Sequence, residues 1–427
     1  MRGVFWLLAL AAMAVALALL VGNNQATVTL FWSPYRFDLS LNLVAFCVVA
    51  AFVLVYLALR GLSLLRELPQ RAQRWRAQQV ERAAVGALLD ALSHQLAGRF
   101  VRAQAAGRLA LENLSGMPSA QWSRRHQLQL LSHLLVAESA HSLQNRETRD
   151  DHLLSALHPK LAKSSPEAHE GALLRAVRWA VEDQDAETAR SRLAELPQGA
   201  ARRIQALRLK LRVARLGGAT AEALETARLL AKHRAFSPQA SASIVRGLAL
   251  DSLRQAHDLS QLDTIWGRLD VDERLMPEVA LAACQRANQL VSAPAATEVD
   301  RALAAANVRQ WLAPIWTGFK QLDAQQQKHL VLALEPGLSM LDAAGLAQLE
   351  QSQREQPSNA YLQYLAGQAC MQRQLWGKAA QLLGQATNSL SEPDLLRRAW
   401  CSLARLAEER GDEAAAQAHW KKAALLG

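Results

Sequence analysis

Residues 4–21 read VFWLLALAAMAVALALLV, and residues 41–59 read LNLVAFCVVAAFVLVYLAL. The first run is wholly apolar, and in the second Asn42 is the single polar residue. As a helix, each run would be about 27–29 Å long, close to the hydrocarbon thickness of a bilayer. No water reaches that core, so we predict for both runs a helix, which satisfies its own backbone hydrogen bonds. Joined by residues 22–40, they would form a transmembrane hairpin.

Two alternatives to this hairpin remain open on the sequence. The first run follows Arg2 and precedes Ala26, which is the order of a secretory signal, although no small-x-small cleavage site ends it. Both runs could also be core helices of a soluble domain. Their apolar residues, however, cover every side of the helix, whereas helices of soluble domains are usually apolar on one face.

Arginines follow the second run and are rare in the loop before it. Residues 60–82 carry six arginines and two glutamates, whereas residues 22–40 carry one arginine and one aspartate. The positive-inside rule therefore predicts that both termini are cytoplasmic and that residues 22–40 lie outside. The same arginines are candidate contacts with anionic lipid headgroups. The membrane-surface candidates are Arg60, Arg66, Arg71, Arg74 and Arg76.

The net charge of +10 by itself favours a nucleic-acid partner, but its distribution does not. Residues 1–82 hold eight Lys/Arg and three Asp/Glu, and their net charge of +5 is half of the net charge of the whole chain. A basic segment directly after a membrane helix is explained more simply by anionic lipid. We therefore expect contact with the bilayer and no nucleic-acid partner.

The connecting loop has its own pattern. Residues 27–30 and 36–41 alternate between polar and apolar side chains on either side of Ser33 and Pro34. Alternation around a proline turn predicts a short β-hairpin, with an irregular loop as the alternative. Trp32 and Tyr35 near its tip are suited to lie among lipid headgroups.

Beyond residue 59 the sequence is helical in pattern. Pro69 is predicted to interrupt the exit from the membrane, and a polar helix then runs to about Ala97. The remainder is rich in alanine and leucine, with prolines some 35–45 residues apart, which suggests stacked helix pairs. These prolines are Pro118, Pro159, Pro197, Pro238, Pro277, Pro314, Pro357 and Pro393.

The clearest repeat occupies the C-terminal part and resembles the tetratricopeptide (TPR) repeat. Small residues would let two helices approach, a glycine would relieve a left-handed turn, and an aromatic ring would fill the gap to the next pair. On this basis we predict that Trp420 is a buried plug. The predicted repeat-packing residues are Gly367, Trp376, Ala379, Leu383, Ala386, Trp400, Gly411, Ala416, Trp420 and Ala423.

Weaker copies of the same frame occur after Gly98, at residues 173–193 and at residues 213–230, whereas residues 235–357 hold none. We therefore predict an all-α chain: a two-helix transmembrane hairpin (residues 1–59), a basic juxtamembrane segment (60–82) and a TPR-like α-solenoid (83–427). The first helix of each pair would line its concave surface.

Motifs that carry chemistry are absent from the sequence. It has no phosphate loop, dinucleotide fingerprint, HExxH or nucleophile elbow, and its four cysteines are isolated. His126, His133 and His141 would share a helix face if one helix continues through them, and His152 and His158 follow. Such spacing suits metal or porphyrin ligands, but a solvated or packing face is the simpler interpretation. We expect no enzymatic activity and no bound cofactor, with haem or porphyrin binding left open.

Two membrane helices around the loop VTLFWSPYRFDLSLN, a basic exit and a TPR-like array together resemble the HemY family of proteobacterial inner-membrane proteins. The resemblance implies an association with late haem biosynthesis and protein partners among the haem-pathway enzymes, without an assigned reaction. A flavin-dependent oxidase that bears the same name is excluded by the missing dinucleotide fingerprint. Two other functions stay open: an envelope-assembly or quality-control adaptor, and a tetrapyrrole carrier using the face around His133.

Overall fold

A computed structural model describes residues 13–14, 22, 26–115, 124–294 and 296–426, and for residues 63–74 it describes the backbone alone. The first apolar run lies outside the described residues except for Met13 and Ala14. The two-helix hairpin therefore stays a prediction.

The loop before the second run is a β-hairpin, as predicted. Strands β1 (Thr27–Trp32) and β2 (Tyr35–Ser40) are antiparallel, with Trp32 opposite Tyr35 and Thr27 opposite Ser40. The rings of Trp32 and Tyr35 are exposed at the tip. Their contact with lipid headgroups remains a prediction.

Helix α1 (Leu41–Leu96) begins directly after this hairpin, where the Ser40 hydroxyl accepts a hydrogen bond from the Leu43 N–H. Its segment Leu41–Leu62 is long and apolar enough to cross a membrane, and none of it is buried against the rest of the described chain. It is the one helix of the described residues with these properties.

The predicted interruption at Pro69 is wrong, because α1 continues through it. A proline removes a single backbone donor, and the flanking residues are mostly alanine, leucine, arginine and glutamine, which favour helix strongly. The predicted segment boundaries at residues 59/60 and 82/83 consequently fall inside one helix.

The described chain forms two compact units, residues 1–169 and 170–427. After α1, the first unit contains α2 (Phe100–Ser115), α3 (Arg125–Ser142), α4 (Arg146–Ala156), α5 (Pro159–Ser164) and the start of α6 (Pro166–Glu182). The second continues with α7 (Ala186–Ala194), α8 (Gln198–Ala201), α9 (Ile204–Leu216), α10 (Thr220–Lys232), α11 (Pro238–Arg254), α12 (Leu259–Arg268), α13 (Val271–Arg274), α14 (Pro277–Val291), α15 (Glu298–Thr317), α16 (Ala324–Leu334), α17 (Ala343–Glu355), α18 (Ala360–Gln372), α19 (Trp376–Ser389), α20 (Pro393–Glu409) and α21 (Glu413–Ala424). Two 3-10 helices, Phe319–Gln321 and Glu335–Met340, flank α16.

One type of turn joins seven successive pairs of helices: α1/α2, α3/α4, α6/α7, α9/α10, α10/α11, α18/α19 and α20/α21. In each turn one residue is left-handed, and the next residue donates its N–H to the carbonyl five positions earlier, which is the Schellman arrangement. Asp412 donates in this way to Ala407 at 2.9 Å. The left-handed residues are Gly98, Gln144, Gln184, Gly218, Arg234, Gln374 and Gly411, with φ between 52° and 74°.

The middle helices, α11 to α17, are joined differently. Within residues 237–355, as far as they are described, no residue is left-handed. Several of these helices begin at a residue whose side chain accepts a backbone N–H, as α4, α7 and α21 also do. In the middle helices these caps are Ser237, Asp258, Thr297, Asp323 and Asp342. The absence of a recognisable repeat in this part of the sequence thus corresponds to a real change in how the helices are connected.

Candidate protein-interaction surface

The last two helix pairs pack through small residues. A side-chain carbon placed on Gly367 of α18 would lie 2.8 Å from Cγ of Leu383 in α19, which is closer than real contacts allow. Ala379, Leu383 and Ala386 of α19 are buried without measurable exposure. In the last pair, Ala416 and Ala423 of α21 are buried as well, and Gly411 forms the turn.

The aromatic residues of these pairs behave less uniformly. Trp376 and Trp400 are half-buried, and Trp400 stacks on His419 with 5.2 Å between ring centroids. The prediction of a buried plug at Trp420 is wrong, because 37% of that residue is exposed. Its indole N–H donates to Oε1 of Glu408 at 2.7 Å. The physical reason is that none of the described helices packs over the outer side of this ring.

A groove, called here the C-terminal groove, runs beside the first helices of these two pairs. Its polar lining residues are Glu335, Gln368, Gln372, Asp394, Arg397, Arg398, Ser402 and Arg405. It contains about 1160 Å³ of atom-free space, including its open mouth. Its lining comes mainly from α18 and α20, the first helices of these two pairs.

Hydrogen bonds hold the floor of the C-terminal groove in place. Glu335 accepts from Tyr364 Oη and from Arg398 Nη1, each at 2.7 Å. Gln368 Nε2 donates to Ser402 Oγ at 2.7 Å. Burial, and next the Glu335 carboxylate, raise the pKa of Tyr364, so this phenol stays a donor. The floor is therefore pre-organised.

The groove carries more positive than negative charge. Arg397 and Arg405 form no hydrogen bond or ion pair with any residue that the structure describes, whereas Arg398 is paired with Glu335. The Asp394 carboxylate lies 3.7 Å from Nζ of Lys328, so its charge is partly offset. Unpaired guanidinium groups bind carboxylates with two parallel hydrogen bonds. The groove is thus complementary to an acidic polypeptide segment.

The histidine face is arranged in part as the sequence suggests. Helix α3 continues through His126, His133 and His141, as a shared face requires. Nδ1 of His133 lies 3.0 Å from Nδ1 of His152, whereas His141 Nδ1 lies 3.5 Å from Arg149 Nη1. His126 and His133 line the same pocket, whose lining does not include His141.

The environment of this histidine pair keeps it neutral near pH 7. Burial, and next the neighbouring His152, lower the pKa of His133 to about 4. Burial and then Arg108 lower the pKa of His152. A shallow pocket beside the pair is lined by His126, His133, His158 and Lys160, among others. Among the residues that the structure describes, no group of three metal-ligating side chains converges.

The membrane-surface candidates all lie on α1. Arg60 Nη1 lies 2.8 Å from the Tyr56 hydroxyl, and Arg76 is exposed. The side chains of Arg66, Arg71 and Arg74 are outside the described residues.

Sequence reasoning did not identify the C-terminal groove. A signal exists, because Arg398 and Arg405 are seven residues apart on α20 and so lie on one helix face. Their partner Glu335, however, is 63 residues from Arg398. Only the folded arrangement shows which arginine is neutralised.

Comparison with known proteins relates this chain to one family. Residues 26–144 match the family model described as HemY protein N-terminus, which confirms the resemblance over β1 to α3. No curated protein matches the chain.

Two solved structures show distant similarity. One, of Naa15/Naa10 bound to HypK-THB, is 14% identical and covers 78% of this chain, with a TM-score of 0.25. This chain spans 58% of that protein's length. The other, the TPR domain of P58(IPK), is 11% identical over 77% of this chain and 99% of its own length, with a TM-score of 0.23.

Proposed function

We propose that this chain, which residues 26–144 assign to the HemY family, is a membrane-tethered scaffold that gathers proteins of late haem biosynthesis at the bacterial inner membrane. It catalyses no reaction and holds no cofactor in this proposal. The observation that carries the scaffold role is the C-terminal groove, where Arg397 and Arg405 lie unpaired among the described residues on a hydrogen-bonded floor.

The membrane hairpin would act as a tether that raises the local concentration of the bound proteins. Residues 4–21 and Leu41–Leu62 would span the bilayer, with residues 22–40 outside and both termini cytoplasmic. Arg60, Arg76 and the other basic residues of 60–82 would keep the array near the anionic leaflet. Holding successive enzymes on one surface raises their effective concentration to roughly millimolar for short tethers. Poorly soluble intermediates would then pass between neighbours.

Charge reversal in the groove tests the scaffold role. Arg397→Glu combined with Arg405→Glu should reduce the acidic partner proteins that co-purify with the full chain from crosslinked membranes by at least tenfold. The matched control is Arg254→Glu, an exposed arginine on another helix of the same unit. If both variants retain the same partners as the unaltered chain, the groove is not the partner site.

Deletion and anchor exchange test the haem assignment. Removing residues 83–427 should make cells accumulate late porphyrins or lose haem. A chain that keeps residues 60–427 but carries an unrelated membrane anchor in place of residues 1–59 should largely restore normal porphyrin and haem levels, since the hairpin acts as a tether. Unchanged porphyrin and haem after the deletion would favour the envelope-assembly or quality-control adaptor instead.

A tetrapyrrole carrier is a second candidate, favoured by the neutral His133–His152 pair beside a pocket. Neutral imidazole is the form that ligates iron. Haem titrated into the full chain in lipid nanodiscs should then give a ligated Soret band that His133→Ala abolishes. His257→Ala, at an exposed histidine, is the control. A Soret spectrum of free haem with the unaltered chain excludes this function.

A further inference from the structure

A second cavity lies in the 170–427 unit; it shares Leu338 with the C-terminal groove but none of the groove's polar lining residues. It is enclosed by α15, the 3-10 helix Glu335–Met340, α17 and α18, and holds about 640 Å³ of atom-free space including its mouth. Its walls are apolar side chains, among them Leu312, Trp316 and Leu349. No acidic side chain lines it.

Arg309 of α15 contributes the one charge of this lining. Its Nη1 is shielded from solvent and has no hydrogen-bond partner among the described residues. A guanidinium nitrogen that has lost water without gaining an acceptor is destabilising, although Arg309 as a whole is only half-buried. The described residues therefore supply no hydrogen-bond acceptor to Nη1 of Arg309.

The walls around Arg309 are held by the protein itself. Trp316 Nε1 donates to Ser352 Oγ at 3.1 Å, which fixes the indole against α17. Gly337 lets the 3-10 helix approach α15 closely, because a side-chain carbon there would lie 3.0 Å from Cβ of Ala305. The shape of the cavity is therefore set by how α15, α17 and the 3-10 helix pack against each other.

We propose that this cavity binds a small amphipathic carboxylate. Its apolar body lies against the leucine side chains, and its carboxylate accepts hydrogen bonds from Arg309. Charge complementarity selects the headgroup, since Arg309 is the sole charged residue in the lining and is the one whose Nη1 lacks an acceptor. This inference concerns a small ligand and is independent of the scaffold proposal.

Binding is tested with 4-phenylbutyrate, which has an apolar ring and one carboxylate. Calorimetry on the full chain in zwitterionic nanodiscs, with empty nanodiscs as blank, should show saturable binding. Its uncharged analogue, 4-phenylbutanamide, should bind at least tenfold more weakly. Absence of saturable binding at millimolar 4-phenylbutyrate, or equal binding of the amide, overturns the proposal.

Two variants locate the site. Arg309→Gln should weaken 4-phenylbutyrate at least tenfold, whereas Arg301→Gln, at an exposed position of the same helix, should not. Ala313→Trp should abolish binding, because Ala313 lines the cavity although it is solvent-exposed, so the larger side chain fills space without entering the core. Unchanged affinity in either Arg309→Gln or Ala313→Trp, with unaltered thermal unfolding, places the ligand elsewhere and overturns the proposal.

Discussion

The C-terminal pairs α18–α21 and the middle helices α11–α17 belong to one compact unit, yet they are held together by different means. The pairs rely on close helix approach at Gly367 and on left-handed turns at Gln374 and Gly411. Side-chain caps begin helices in both regions, but the middle helices have no left-handed turn among their described residues, and a partly buried ion pair joins α13 to α10.

The difference is clearest at Arg228 of α10. Its guanidinium donates to both carboxylate oxygens of Glu273 in α13, at 2.9 and 2.5 Å, and Glu273 is buried. Glu273 also accepts the backbone N–H of Asp270. Side-chain contacts thus fix the position of α13, a helix of four residues. In the regular pairs, backbone hydrogen bonds of the left-handed turns fix how one helix follows the other. The regular pairs thus share a turn geometry that the described middle helices lack, whereas α13 is held to α10 by a partly buried ion pair.

The largest effect is expected from removing that contact. Arg228→Met leaves the buried Glu273 carboxylate unpaired and should lower the local unfolding free energy by about 3–5 kcal/mol. Native-state hydrogen exchange of α10 and α13 in the full chain would measure it. Arg254→Met, which breaks an exposed pair with Asp251, should change it by at most about 0.5 kcal/mol. Equal effects of the two changes would remove the distinction drawn for the middle helices.

The next effect belongs to the C-terminal pairs. Gly367→Ala places a methyl group against Leu383 and should destabilise α18 and α19 by about 1–3 kcal/mol. Gly384→Ala is the matched control, because a side-chain carbon there meets nothing within 4 Å, and it should stabilise α19 by about 0.5–1 kcal/mol. Denaturant unfolding followed by circular dichroism would show opposite shifts. A stabilising Gly367→Ala would contradict close packing.

The terminal aromatic residue should matter less than a buried tryptophan. Trp420→Ala is expected to cost about 1–2 kcal/mol rather than the roughly 3–5 kcal/mol of a core position, since the ring is partly exposed and leaves no closed cavity. The same unfolding measurement checks it. A loss as large as a core value would mean that a partner or further chain covers this ring.

The smallest effects concern the turns, and they have opposite signs. Gly411→Ala forces an alanine into a left-handed conformation and should cost about 1 kcal/mol, whereas Gln374→Gly should gain about 0.5–1 kcal/mol. Gly247→Ala, within α11 of the middle region, is the control without a turn. If Gln374→Gly destabilises the chain, the glutamine side chain contributes more than its backbone strain removes.

The turns with a left-handed glycine could be predicted from the sequence, whereas the left-handed conformation of the glutamines could not. Gly98, Gly218 and Gly411 each fit a predicted repeat and are left-handed in the structure. Gln144 and Gln374 take the same conformation. A glutamine carries no preference for left-handed backbone, so no sequence rule identifies it. The helix pair α3/α4 was missed for this reason.

Local properties of the chain determined much of the molecule from sequence alone. The uninterrupted apolar length of Leu41–Leu62, the alternation around Ser33 and Pro34, and the glycine turns each depend on neighbouring residues. The β-hairpin, the apolar helix and several helix pairs could therefore be predicted. Pro69 was misjudged because the helical preference of its neighbours outweighs one missing donor.

Only the tertiary structure decided which distant residues meet. The pairing of Arg398 with Glu335 and of Arg228 with Glu273 spans 63 and 45 residues, and the isolation of Arg309 is defined by what does not reach it in the described chain. Which distant side chains meet depends on how whole helices pack, and helices with similar amphipathic patterns can pack together in many ways. Sequence composition therefore determines that helices form and pair, while packing determines where charge stays unpaired and a partner or ligand can bind.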